Sequence, residues 1–232
     1  MREPKEVILT PYFTYARDPQ RGHFWPKTID DLIPLMKSCL NTGTNLIIFH
    51  NGLRESVEHP MIKFIRVNKN EMFCPIVYRW IVYEEYLRHN KHEKVFMVDS
   101  TDVEVLNNPF GEIVPDVLYV GHESNKEMCY QWMKNTEEPY VKIPDFKDVT
   151  YPHHDHLPLN AGIVGGYYDV VYDFIGKLSN IHRRYSVGIT QTTDMAYFNY
   201  SIWKYGINFE YGSHINTEFK KYEYTNAWFR HK

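Results

Sequence analysis

At 232 residues the chain is long enough for one α/β domain with a sizeable core. Its 43% hydrophobic and 24% charged residues are those of a globular chain, not a disordered one, and 16% aromatics suit polar-rimmed clefts. A formal net charge of -3, with no run of Lys and Arg, argues against nucleic acid as a partner.

The three cysteines, Cys39, Cys74 and Cys129, form no CxxC pair, which excludes a zinc ribbon and points to a reducing compartment. The N-terminus has no apolar signal core, and no segment approaches the roughly 20 apolar residues of a membrane span. The expectation is a soluble, cytoplasmic protein.

Residues 6–10 (EVILT) predict a strand stopped by Pro11, followed by a polar loop through Gly22. Residues 29–40 carry Leu32, Ile33, Leu35, Met36 and Leu40 at near-helical spacing, with Pro34 close to the start. Residues 45–50 (NLIIFH) and 61–67 are further strand candidates, and strand, helix, strand at this spacing predicts a βαβ unit. Residues 75–89 return to helical spacing, with Ile76, Trp80, Tyr83 and Leu87 on one face. Arg79 beside Trp80 reads equally as a solvated surface arginine or a functional one.

The run Val95 to Val98 is uninterrupted by charge, which predicts a strand buried on both faces of a parallel sheet. Ligands of such sheets sit beyond the carboxyl ends of the strands, where Asp99, Ser100, Thr101 and Asp102 fall. Two carboxylates there suit a hard divalent cation, although an ordinary strand-to-loop turn uses the same residues. A phosphatase-type nucleophile is excluded by spacing, since position 101 is Thr. A P-loop is excluded because no Gly-rich run leads into Gly-Lys-Ser/Thr.

Residues 117–120 (VLYV) predict another strand, ending in Gly121, His122 and Glu123. Residues 123–158 show no sustained period and predict short helices and loops. Within them His153, His154 and His156 surround Asp155, either as a mobile loop over a cleft or as a zinc or nickel site. In residues 159–175 (LNAGIVGGYYDVVYDFI), Asn160, Ala161 and Gly162 place small residues where a backbone must approach something closely. A strand with a Gly bulge feeding a helix is the structural alternative. Residues 191–206 predict a helix capped by Thr192 or Thr193, with Asp194 in its first turn.

An apolar strand ending in DSTD, then LNAGIVGG, then TDMAYFN resembles, in that order, the GT-A-fold nucleotide-sugar-dependent glycosyltransferases. The likeness is to the glycogenin-like and bacterial galactosyltransferase-like groups and related virus-encoded enzymes. It implies a single GT-A-type α/β domain over 1–232, with a mixed, mostly parallel sheet and helices on both faces. A nucleotide-binding half would cover about 1–123, and an acceptor half about 124–232.

The resemblance further implies an enzyme moving a sugar from a UDP-linked donor to a glycan or glycoprotein hydroxyl, with Mn2+ or Mg2+. In it Asp99 meets the ribose and the metal. Asp102 ligates the metal, one residue later than in the family's Asp-x-Asp. Thr10 and Tyr12 border the base, Arg79 reaches the sugar or diphosphate, and Asn160, Ala161 and Gly162 line the sugar pocket. Asp194 bonds sugar hydroxyls, and either Asp194 or Asp155 is the candidate base. His231 would be a further metal ligand and Lys232 a diphosphate contact, although the family's fuller His-Gly-Lys pattern is absent. Two other functions keep the same parts: a sugar-phosphate nucleotidyltransferase, and a non-catalytic nucleotide- or glycan-binding domain.

Overall fold

The structure, a computed structural model, describes residues 3–218, 221 and 223–231. In chain order the elements are β1 (Glu6–Tyr12), α1 (Ile33–Asn41), β2 (Leu46–His50), β3 (Ile62–Arg66) and α2 (Pro75–His89). Then come β4 (Lys94–Val98), β5 (Val103–Val105), β6 (Leu118–His122), α3 (Lys126–Thr136) and α4 (Phe146–Thr150). The last are β7 (Leu159–Tyr167), α5 (Tyr168–Tyr185), α6 (Asp194–Lys204), β8 (Phe209–Glu210) and β9 (Phe229–His231).

Seven of these strands form one sheet in the order β3-β2-β1-β4-β7-β6-β8. Pairing is parallel from β3 to β4 and between β6 and β8, and antiparallel where β7 meets β4 and β6. The molecule is therefore α/β with a mixed, mostly parallel central sheet. The chain builds outward from β1 to β2 and β3, then returns to lay β4 on the other side of β1. That reversal opens a crevice between the carboxyl ends of β1 and β4, the usual ligand position in such sheets.

Both faces of the sheet are covered, which explains the unbroken apolar strands. Val7, Leu9, Val95 and Met97 face one core, shared with α2, α5 and α6. Ile8, Phe96 and Val98 face the other, shared with α1 and with the small antiparallel ribbon of β5 and β9. Gly165 is required by this packing, since a Cβ there would run into the Phe96 ring.

Three local departures from the sequence pattern have simple causes. β1 continues through Pro11 because β4 pairs only as far as Leu9, so a missing amide there breaks no ladder on that side. The helix expected over 29–40 starts as a 3-10 turn (Asp30–Leu32), and Pro34 falls in the first turn of α1, where its lack of an N–H costs little. At the start of α6, Thr192 Oγ1 accepts from the Asp194 amide, but the Met195 and Ala196 amides are capped from a distance by Glu137. Among the described residues no helix is long and apolar enough to cross a membrane.

Candidate functional site

The crevice between β1 and β4 is a cavity of about 810 Å³. Its floor comes from the ends of β4 and β7, one wall from the loop after β1, and the other from α3. β7 is irregular at this point. Between Val120 and Gly121 of β6 the partner on β7 jumps from Val164 to Asn160, so Ala161, Gly162 and Ile163 leave the β6 ladder. The Gly162 carbonyl then accepts from the Asp99 amide at 2.9 Å, tying the ends of β7 and β4 together.

Asp99, Asp102 and His231 offer ligand atoms that all lie within 4.8 Å of one another. The imidazole arrives through the β5–β9 ribbon, whose register sets His231 opposite Val103, next to Asp102. The ribbon is anchored by Phe229, fully buried against Phe96 with ring centroids 5.2 Å apart, and by Trp228, 5.3 Å from the Tyr119 ring. Burial of one such side chain contributes about 1.5–3 kcal/mol, enough to hold a three-residue strand in place. Two carboxylates and an imidazole are a suitable donor set for a hard-to-borderline divalent cation such as Mn2+.

Gly162 lies directly under this group. A Cβ there would stand 2.8 Å from Asn160 Oδ1, 2.9 Å from Asp99 Oδ2 and 2.9 Å from His231 Cε1. Only a residue without a side chain lets the three segments converge. Burial, then the charge of Asp99, pushes Asp102 above the usual carboxylate range, while His231 and the Arg21 guanidinium draw it back.

Beneath the carboxylates runs a buried charge chain. Arg79 pairs with Asp99 through Nη1, and through Nη2 it donates to Asp194 at 2.6 Å and to the Ala161 carbonyl at 3.1 Å. The Trp80 indole donates to the other Asp194 oxygen at 2.5 Å. Burial pushes Asp194 up to about 6, opposed by Arg79 and by that indole bond. Arg79 is thus neither a solvated surface residue nor available to leave, since withdrawing it strands two carboxylates.

The expected residues are only partly gathered here. Tyr12, Arg79, Asp99, Asp102, Asn160, Ala161, Gly162, Asp194 and His231 line the cavity. Thr10 does not: it is buried, and its hydroxyl donates to the Val98 carbonyl at 2.8 Å. Asp155 is a correction of a different kind. Its side chain is fully solvent-exposed, 3.8 Å from Lys126, and it forms no part of the cavity wall. Lys232 lies outside the described residues. The histidine cluster is used in packing, with His153 stacked on Trp203 at 4.0 Å and His154 between Tyr130 and Tyr151.

Several lining residues carry no signal in the sequence pattern. Asp18, Arg21 and Trp25 come from the polar loop after β1, and Met128 and Trp132 from α3. Glu123, just past β6, also faces the cavity and accepts one hydrogen bond, from Asn160 Nδ2. Its place beyond a strand's carboxyl end is the signal that could have found it.

Fold and site together define an α/β protein with an acidic–imidazole cluster at a sheet switch point. No family model matches the chain, and no curated protein matches its sequence.

Proposed function

We propose that this protein is a metal-dependent glycosyltransferase of GT-A type, moving a sugar from a nucleoside-diphosphate donor to an acceptor hydroxyl. The observation that carries the reading is the convergence of Asp99, Asp102 and His231 above Gly162 in a cavity at the sheet's switch point. A cavity of about 810 Å³ has room for a nucleotide sugar.

Breaking the anomeric C–O bond develops oxocarbenium character on the sugar and negative charge on the departing diphosphate. The chemistry a divalent cation supplies in such a site is Lewis-acid neutralisation of that leaving group. Asp99, Asp102 and His231 would hold the cation. Gly162 lets the ligand side chains converge, Ala161 presents no more than a methyl group to the sugar ring, and Asp194, fixed by Arg79 and Trp80, presents its remaining lone pairs to sugar hydroxyls. With Asp155 outside the cavity, Glu123 is the carboxylate placed to take the acceptor proton. Asp99, Asp102 and Asp194 are occupied by cation-binding or ion-pair roles, and Asp18 by its own loop.

The test is release of nucleoside diphosphate from a panel of nucleotide sugars with and without MnCl2. Manganese-dependent release from at least one donor supports the reading. Release of pyrophosphate from a nucleoside triphosphate and a sugar phosphate would make it a nucleotidyltransferase. Tight binding of nucleotide without turnover of any donor would make it a binding domain.

A further inference from the structure

An arginine from the loop after β1, Arg21, contacts Asp102 with its Nη2 2.7 Å from the carboxylate. Arg21 belongs to a compact turn after β1. The Gln20 and Arg21 amides donate to Asp18 Oδ1 at 2.9 and 2.8 Å, and Gly22 N donates to the Asp18 carbonyl at 2.7 Å. The guanidinium lies 5.4 Å from the Trp25 ring centroid and 3.4 Å from Asp18 Oδ2. The turn thus reaches from the β1 side of the crevice to the β4 side.

Asp99 and Asp102 need countercharge, and two arginines supply it in different ways. Arg79 is buried, with its fork spent on Asp99, Asp194 and Ala161. The Arg21 side chain is 39% exposed, and such a pair is weak enough to exchange. Among the described lining residues Arg79 keeps only a buried Nε–H unpartnered, whereas Arg21 is half-exposed, and its planar fork matches a phosphate.

We propose that Arg21 is an exchangeable countercation of this site: it neutralises Asp102 until a divalent cation binds Asp99, Asp102 and His231, and then turns to the diphosphate of the nucleotide. The inference rests on the proposed function and adds a coupling to it. A metal arriving alone must displace Arg21 without giving it a new partner. A metal arriving with diphosphate provides that partner, so each ligand raises the affinity for the other.

Calorimetric titration of MnCl2, of UDP, and of UDP with MnCl2 into the parent, Arg21→Ala and Arg21→Lys tests this. Arg21→Ala should bind Mn2+ alone about two- to fivefold more tightly, since an exposed pair no longer competes. It should bind UDP in the presence of Mn2+ at least about tenfold more weakly. Arg21→Lys, which keeps the charge, should stay near the parent for Mn2+ alone. Trp25 emission should shift on adding MnCl2 to the parent, and that shift should vanish in Trp25→Phe. Equal or weaker Mn2+ binding by Arg21→Ala overturns the exchange, and unchanged UDP affinity overturns the handover to phosphate. In both cases the metal site itself stands if Asp102→Asn abolishes Mn2+ binding. No Mn2+ binding by the parent overturns both the inference and the function beneath it.

Discussion

Asp102 and His231 meet because Val103 pairs with His231 across the β5–β9 ribbon, so residues from distant parts of the chain become neighbours at the cavity mouth. The ribbon's register is the geometric basis of the proposed metal site. Its apolar anchor, Trp228 and Phe229 on Phe96 and Tyr119, is what keeps that register.

Gly162→Val should uncouple binding from folding in a recognisable way. The new side chain would meet Asn160, Asp99 and His231 at under-contact distances. Metal and UDP affinity should fall by tenfold or more, about 1.4 kcal/mol, because the ligands are pushed apart. Stability should drop by about 1–3 kcal/mol, the usual cost of overpacking. Calorimetric titration beside thermal melts checks both; a melt that collapses with no separable binding defect would make the glycine purely structural.

Much of the scaffold around that glycine is legible in the sequence, and the exceptions are instructive. α2 is readable to its ends, residues 75–89, because Pro75 suits a first helical turn and the apolar spacing is unambiguous. β4 and its trailing carboxylates are readable because an apolar run can only be buried. The direction of β7 is not, since a strand buried on both faces looks the same parallel or antiparallel. β5 and β9 are three residues each, too short for any period, so the contact of His231 with Asp102 came only from the family resemblance. Glu123 follows β6 directly and is within reach of the strand-end rule, whereas Arg21 is set by loop geometry and tertiary contacts, which local pattern does not encode.

Glu123→Gln keeps an oxygen that can accept from Asn160 and removes only the basic function. With an acceptor hydroxyl present, kcat should fall about 10²- to 10⁴-fold, while Mn2+ and UDP affinities stay within twofold. Pre-steady-state and binding measurements on one preparation check this. Full turnover in Glu123→Gln would remove Glu123 from the chemistry.

His182 gives a stability prediction of fixed sign. It is completely buried on α5, with Nδ1 2.9 Å from Ser186 Oγ, and burial followed by the Arg79 charge pushes it down to about 3. An unfolded histidine titrates near 6.5. Between those values the unfolded chain binds the extra proton, so stability is full above about pH 6.5 and declines as pH falls towards 3. The loss from this group should reach up to about 3 kcal/mol by pH 4. Urea denaturation at pH 7 and pH 4 should show that decline in the parent and a smaller one in His182→Leu. Equal slopes would assign acid sensitivity to other groups.

The most direct test of the proposed site is a crystal soaked in MnCl2 and UDP, with anomalous diffraction used to locate manganese. The expected result is a manganese peak about 2.0–2.3 Å from carboxylate oxygens of Asp102 or Asp99 and from a ring nitrogen of His231, with the UDP diphosphate against it. Soaked Asp102→Asn crystals should lose the peak. Manganese or UDP bound elsewhere, with the three side chains unmoved and unliganded, would contradict the metal–nucleotide site on which the proposed glycosyltransferase function rests.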